Sequence, residues 1–232
     1  MRLKTSPVLP VVLMFFLGGC SLVGRAGSAS PVPLLSPKSE EMNLIAPDTF
    51  KVLVETTNGD LVLEVYRDWA PLGADRFFNL VRNGYYNDTF FFRTIAGFVA
   101  QFGIHGQPEV SAAWKDARIN DDSVRVSNER GTISFAMAGP NTRTVQLFIN
   151  QEDNDRLDRL GFAPFGKVTG GMDTVDRLYS GYGEGAPQGR GPSQDRISLE
   201  GNAYLRANFP LMDAIKRAWI LPDERPAAEN SR

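Results

Sequence analysis

Hydrophobic and polar positions alternate in two adjoining runs near the start of the folded part. Residues 51–57 set Val52 and Val54 between polar neighbours, and residues 60–66 place Leu61, Leu63 and Val65 in the same rhythm. Two such runs around Asn58-Gly59 predict a β-hairpin. Pro71 then opens a helix in which Ala74, Phe77, Phe78 and Val81 recur at helical spacing, with Gly84 as its stop. Further strand-like runs fall at 89–95, 97–103, 131–137, 145–150, 163–169 and 195–200, and residues 173–179 read as a short helix. With the hairpin, these runs make eight expected strands. Residues 208–221 carry Leu211, Ile215, Ala218 and Trp219 as an apolar stripe, with Asp213 early and Lys216 and Arg217 late, which predicts a C-terminal helix. The expected fold class is mainly β: a closed eight-stranded antiparallel barrel capped by two helices, with an added C-terminal helix. Closure removes exposed strand edges. Alternation alone does not separate a barrel from a sandwich.

Composition narrows the function. The chain has 232 residues, 42% of them hydrophobic, and a formal charge of −2. That length allows one domain with appendages. The charge gives no electrostatic footprint for nucleic acid, which is not expected as a partner. One cysteine and one histidine exclude a zinc site built from Cys and His, and no metal or cofactor is expected. A Ser-His-Asp triad would have to use His105, which lies in Gly-Ile-His-Gly-Gln-Pro and is expected in a solvated loop. Two long loops are predicted. Residues 104–130 are rich in charge and read as a solvated loop. Residues 180–194 are rich in glycine but lack the Lys-Ser/Thr pair and following helix of a phosphate loop.

The N-terminus has the pattern of a targeting segment. Arg2 and Lys4 precede an apolar run at 8–17, too short for a spanning helix. The run ends Leu-Gly-Gly-Cys-Ser, which resembles the lipobox of bacterial lipoproteins, with Cys20 as the acylated residue. Residues 1–19 are therefore expected to be a signal peptide. Residues 20–47 are expected to be the anchor and a flexible linker, holding the domain roughly 25–30 Å from its lipid. The folded domain is expected at 48–202, and a helix with a disordered tail at 203–232. The expected location is the bacterial envelope, on the periplasmic face of the outer membrane, as a monomer.

Two blocks carry the chemistry. Residues 90–101 read Phe-Phe-Phe-Arg-Thr-Ile-Ala-Gly-Phe-Val-Ala-Gln, and residues 135–142 read Phe-Ala-Met-Ala-Gly-Pro-Asn-Thr, followed by Gln-Leu-Phe-Ile at 146–149. They set Arg93, Gln101 and Gln146 inside runs that otherwise look built for burial, the composition of an apolar groove with a few fixed donors. With Gly-Phe-Ala-Pro-Phe-Gly-Lys-Val at 161–168, these segments resemble the cyclophilin family of peptidyl-prolyl isomerases over roughly residues 50–200.

The resemblance implies an eight-stranded barrel and a site that rotates X-Pro bonds in proline-containing polypeptides, here exported proteins. It implies Arg93 as donor to the prolyl nitrogen and Gln101 as its orienting partner. Phe98, Phe148 and Leu157 would wall the proline slot, with Ala136 and Met137 along the rim, Gln146 on the substrate backbone, and Val99, Ala138 and Phe162 as further substrate-binding residues. Phe135 and Phe165 are expected in the core. Met137, Arg156 and Phe162 depart from the family's usual asparagine, tryptophan and histidine. An altered rim also fits a non-catalytic module that grips proline segments, or an envelope chaperone.

Overall fold

The computed structural model describes residues 32–222. The expected signal peptide, Cys20, the first part of the linker and the tail from residue 223 lie outside the described residues.

Strands β1 (Thr49–Thr56) and β2 (Gly59–Tyr66) form the expected hairpin, paired from Thr49↔Tyr66 to Thr56↔Gly59. Phe50, Val52 and Val54 face the core from one strand and Leu61, Leu63 and Val65 from the other. Helix α1 (Pro71–Arg82) follows. It ends on Gly84 at φ +72°, where the Gly84 N–H donates to the Val81 carbonyl and the Tyr85 N–H to that of Leu80. Its N-terminus is capped from a distance. Ala70 has no side-chain acceptor, and the Asp122 carboxylate takes the N–H groups of Leu72 and Gly73 at 3.0 and 2.9 Å.

The remaining strands are β3 (Thr89–Phe90), β4 (Arg93–Ile95), β5 (Val99–Phe102), β6 (Thr132–Phe135), β7 (Leu147–Asn150), β8 (Pro164–Gly170) and β9 (Ala214–Ile220). They form one nine-stranded antiparallel sheet in the order β3-β9-β1-β2-β8-β6-β7-β5-β4. The expected run 89–95 is divided at Phe91-Phe92. Its halves are the two edge strands of the order, so the sheet curls until its edges are neighbours in the chain. Phe77 of α1 packs on Phe165 at 5.1 Å, and Phe165 on Phe135 at 5.2 Å, in the middle of the core.

The C-terminal third corrects two expectations. Residues 195–200 are helical, within α4 (Gln194–Asn208), which Ser193 caps by accepting the Arg196 N–H. Ile197 and Leu199 suggest alternation, but Leu199 is 75% exposed, and the buried positions are Ile197, Gly201, Tyr204 and Leu205, with Gly201 kinking the helix at φ +64°. The expected helix at 208–221 is instead strand β9, paired with β1 and β3. A bulge explains the misreading. Glu55 faces Arg217 while Thr56 faces Ile215, so Lys216 is skipped. Ile215 and Ala218 thereby share the buried side at a spacing of three, which imitates a helical stripe. The folded domain consequently extends past 202 to the end of β9.

Other expectations change for reasons of burial. Residues 34–46 are not a free tether. Leu34, Met42 and Ala46 are buried, the Trp114 indole donates to the Leu34 carbonyl at 2.8 Å, and Asn79 bonds the backbone of Leu44. The loop at 104–130 contains helix α2 (Pro108–Trp114), whose Val110 and Trp114 are fully buried four residues apart. Its charges are partly internal: Arg143, 2% exposed, binds Asp122 and the Asn120 carbonyl. His105 is buried against Tyr85 at 5.1 Å, and its Nδ1 accepts the Gln107 N–H.

Candidate active site

The site is built on a cross-strand row. Arg93 on β4 faces Gln101 on β5, Gln101 faces Phe148 on β7, and Phe148 faces Ser134 on β6. Directly opposed residues point to the same face of a sheet. The next row, Thr94, Ala100, Ile149 and Ile133, points into the barrel and is buried. The Arg93 row therefore stands on the outer face of the sheet, where Ser134, Phe148 and Gln101 are covered and Arg93 is half-buried.

A cavity of about 230 Å³ opens there. Arg93 and Gln101 supply its polar side, and Phe98, Val99, Phe148, Leu157 and Phe162 its apolar side, with Ala136 and Met137 at the rim. Val99, Phe148 and Leu157 are buried together as a small cluster separate from the main core, with Phe98, Ala136 and Phe162 packed on it. Such a satellite cluster is not needed to fill the barrel. It exists to floor a groove. Phe162 meets Phe148 edge-on at 5.5 Å.

Two expected residues lie apart. Gln146 lines a neighbouring cavity of about 560 Å³, with Thr144, Val145 and Trp114 on the barrel side and Leu199 of α4 on the other. It reaches the site through Gln101, whose Nε2 donates to Gln146 Oε1 at 2.9 Å. Ala138 is exposed on the turn beyond Met137, and its N–H is taken by Thr142 Oγ1 at 2.9 Å.

The wall carrying Leu157 and Phe162 is held by a buried polar hub. Asn128 is fully buried and donates to Asp158 at 2.7 Å and to the Phe162 carbonyl at 2.8 Å. Its Oδ1 accepts from Ser134 at 3.0 Å and Asn150 at 3.2 Å. Burial would raise the Asp158 pKa, but hydrogen bonds from Ser127 and Asn128 outweigh it and hold the carboxylate below its usual range. Asn154 ties this wall to the Phe98 carbonyl at 3.0 Å.

Arg93 is the electrostatic centre. Its Nη1 donates to Gln101 Oε1 at 3.2 Å, and its Nε and Nη2 donate to the two oxygens of Glu184 at 2.6 and 2.8 Å. That pairing depresses the Glu184 pKa. Phe98 lies near both Arg93 and Arg156, with guanidinium carbons 5.8 and 4.7 Å from its ring centre. Glu184 comes from the glycine-rich loop and was not foreseen. A single acid among glycines, 91 residues from its partner, leaves no periodic trace in the sequence.

The curled antiparallel sheet thus carries an arginine-edged apolar slot on its outer face. The chain matches the family described as cyclophilin type peptidyl-prolyl cis-trans isomerase/CLD over residues 51–199, and it belongs to this family of isomerase enzymes. Among curated relatives, it is 35% identical over 135 residues to peptidyl-prolyl cis-trans isomerase B of Escherichia coli, covering 55% of this chain and 82% of that protein. It is 36% identical over 132 residues to a peptidyl-prolyl cis-trans isomerase of Acinetobacter baylyi, covering 55% and 70%. A crystal structure of a Cryptosporidium parvum cyclophilin type isomerase shares the fold, with a TM-score of 0.56 at 24% identity over 75% of this chain and 99% of that one. The same protein was also solved in the presence of the dipeptide Ala-Pro, with a TM-score of 0.55.

Proposed function

We propose that this isomerase lowers the rotation barrier of X-Pro bonds by donation from Arg93 to the prolyl nitrogen. The barrier of about 18–20 kcal/mol exists because the nitrogen lone pair is shared with the carbonyl. Rotation needs no nucleophile and no proton transfer. It needs an apolar slot for the pyrrolidine ring and a donor aimed at the nitrogen, which favours the unconjugated, pyramidal state found near the transition state.

One observation carries this reading. A guanidinium has five N–H donors, and three are engaged by Glu184 and Gln101. Arg93 thus keeps one N–H on Nη1 and one on Nη2 while lining a slot floored by Phe148 and Leu157. Its charge persists at any physiological pH, and its fork is fixed in a way lysine would not reproduce.

The test is NMR exchange spectroscopy on an Ala-Pro peptide with catalytic amounts of protein. Arg93→Ala is expected to lower kcat/KM by about 10²–10³, the range for losing one electrostatic donor. An unchanged rate would defeat the reading. Peptide binding without exchange would select the non-catalytic module instead.

The substrates are exported polypeptides and the enzyme is held at a bacterial envelope by lipid on Cys20, on the periplasmic face of the outer membrane. The basic, apolar and Cys-Ser order of residues 2–21 supports this. Cys20→Ser should move the protein from the membrane fraction to the soluble one, and retention at the membrane would refute the anchor.

A further inference from the structure

We propose that Glu184 is a positioning residue for the isomerisation, fixing the plane of the Arg93 guanidinium so that its free N–H groups face the slot. This rests on the reading of Arg93 as the donor.

The geometry argues for position rather than charge. Glu184 grips Arg93 side-on, through Nε and Nη2, and Gln101 takes one N–H of Nη1. Both ends of the planar group are thereby held. The two N–H groups left over, one on Nη1 and one on Nη2, are not on the edge that Glu184 grips. An unheld arginine would spread over many rotamers, and that freedom would have to be lost in each productive encounter. The Glu184 side chain is 40% exposed, so solvent screens much of the ion pair's attraction. What screening does not remove is the direction imposed by two parallel hydrogen bonds.

The loop is built to present this one side chain. Glu184 Oε1 also accepts the Gly185 N–H at 3.0 Å, and the Glu184 carbonyl accepts the Gly191 N–H at 2.8 Å. A Cβ at Gly189 would stand 2.3 Å from the Glu184 carbonyl oxygen, so a side chain there would break the loop closure. Two residues earlier, Tyr182 anchors the loop edge-on against Phe209 at 5.0 Å, on the cluster formed by α4 and β3. The loop between α3 (Met172–Asp176) and α4 thus brings Glu184 to the arginine.

The experiment is a double-mutant cycle in the exchange assay, with kcat and KM determined separately. Glu184→Ala should lower kcat about 10- to 30-fold with little change in KM. Glu184→Gln, which keeps the shape and one acceptor oxygen, should fall between, with an unchanged melting temperature. In the Arg93→Ala background, Glu184→Ala should have no further effect. The Arg93 Nε–H resonance, shifted and protected in the wild type, should collapse in Glu184→Gln. Glu184→Ala as active as wild type, or faster, beside a crippled Arg93→Ala would overturn the positioning role and leave the donor reading intact. An effect on KM alone, or an equal loss in both backgrounds, would overturn it too. Full activity in Arg93→Ala would remove the donor reading itself, and this inference with it.

Discussion

Gln101 Nε2 donates to Gln146 Oε1 at 2.9 Å, while Gln101 Oε1 accepts from Arg93 at 3.2 Å. One amide therefore uses both ends and cannot turn over without losing both bonds. Gln146 itself lines the larger cavity. The two cavities are linked by a relay of directed hydrogen bonds from Arg93 through Gln101 to Gln146.

This relay predicts the outcome of Gln101→Leu. Shape and burial are nearly kept, but the Arg93 end and the Gln146 end are both released. A lost hydrogen bond to a charged group is worth about 1.5–3 kcal/mol. The expectation is a fall in kcat/KM of about tenfold or more, beside a stability loss of up to that free energy. Steady-state exchange rates beside a thermal melt check it, and wild-type kinetics would show that Arg93 is oriented without Gln101.

Asn128→Ala should damage the slot from behind. Asn128, itself fully buried, makes four side-chain hydrogen bonds, and its removal leaves the Phe162 carbonyl and Ser134 hydroxyl short of partners. We expect a loss of about 2–4 kcal/mol in unfolding free energy. KM should rise because Leu157 and Phe162 lose their backing. Chemical denaturation and peptide titration measure the two effects, and a variant as stable as wild type would contradict the hub.

The residues that line the slot were legible through the motifs that carry the family resemblance, not through alternation, since β5 and β7 are buried at every position. The segments at 90–101 and 135–149 place Arg93, Gln101 and Phe148 in one row as soon as β4, β5 and β7 are paired in register. Gln146 and Ala138 were harder, since each lies where its strand has given way to a turn. The C-terminal third was misread for a local reason: the bulge at Glu55 and Thr56 changes which β9 residues point inward, so a strand shows a helical spacing. Trp114 and Leu34 were missed because their burial depends on each other, through one indole-to-carbonyl bond between segments 80 residues apart.

Ending the chain after Asn208 should abolish folding. An appended helix could be removed harmlessly, but β9 lies between β3 and β1 in the sheet. It buries Ile215 and Ala218, and the Ala218 N–H is taken by Asn87 Oδ1 at 2.9 Å. Without it, β1 exposes a row of unpaired backbone groups and the core opens on that side. The expected result is no cooperative melt by circular dichroism. A shortened chain that melted like the full one would mean that β9 is dispensable.

The single histidine makes one pH effect separable from all others. Burial pushes the His105 pKa below its ordinary value near 6.5, although nearby Glu109 and Asp88 pull the other way. The folded state therefore resists a proton that the unfolded chain accepts at about pH 6.5. The sign follows: the stability tied to neutral His105 is complete above that pH and is lost as pH falls through the lower folded value. The slope cannot exceed one proton, about 1.4 kcal/mol per pH unit. Asp158 and Glu184, whose pKa values are also lowered, titrate below the ordinary carboxylate range and add their losses only at more acid pH. Between pH 6.5 and 5 the decline in urea midpoint should belong to His105. His105→Asn can place an amide oxygen where Nδ1 accepts the Gln107 N–H, and it carries no titrating group. That variant should show a flat profile over the same interval, at the cost of some packing against Tyr85. If it declined as steeply as wild type, the acid sensitivity would have to come from another group, and the buried imidazole would be uninvolved.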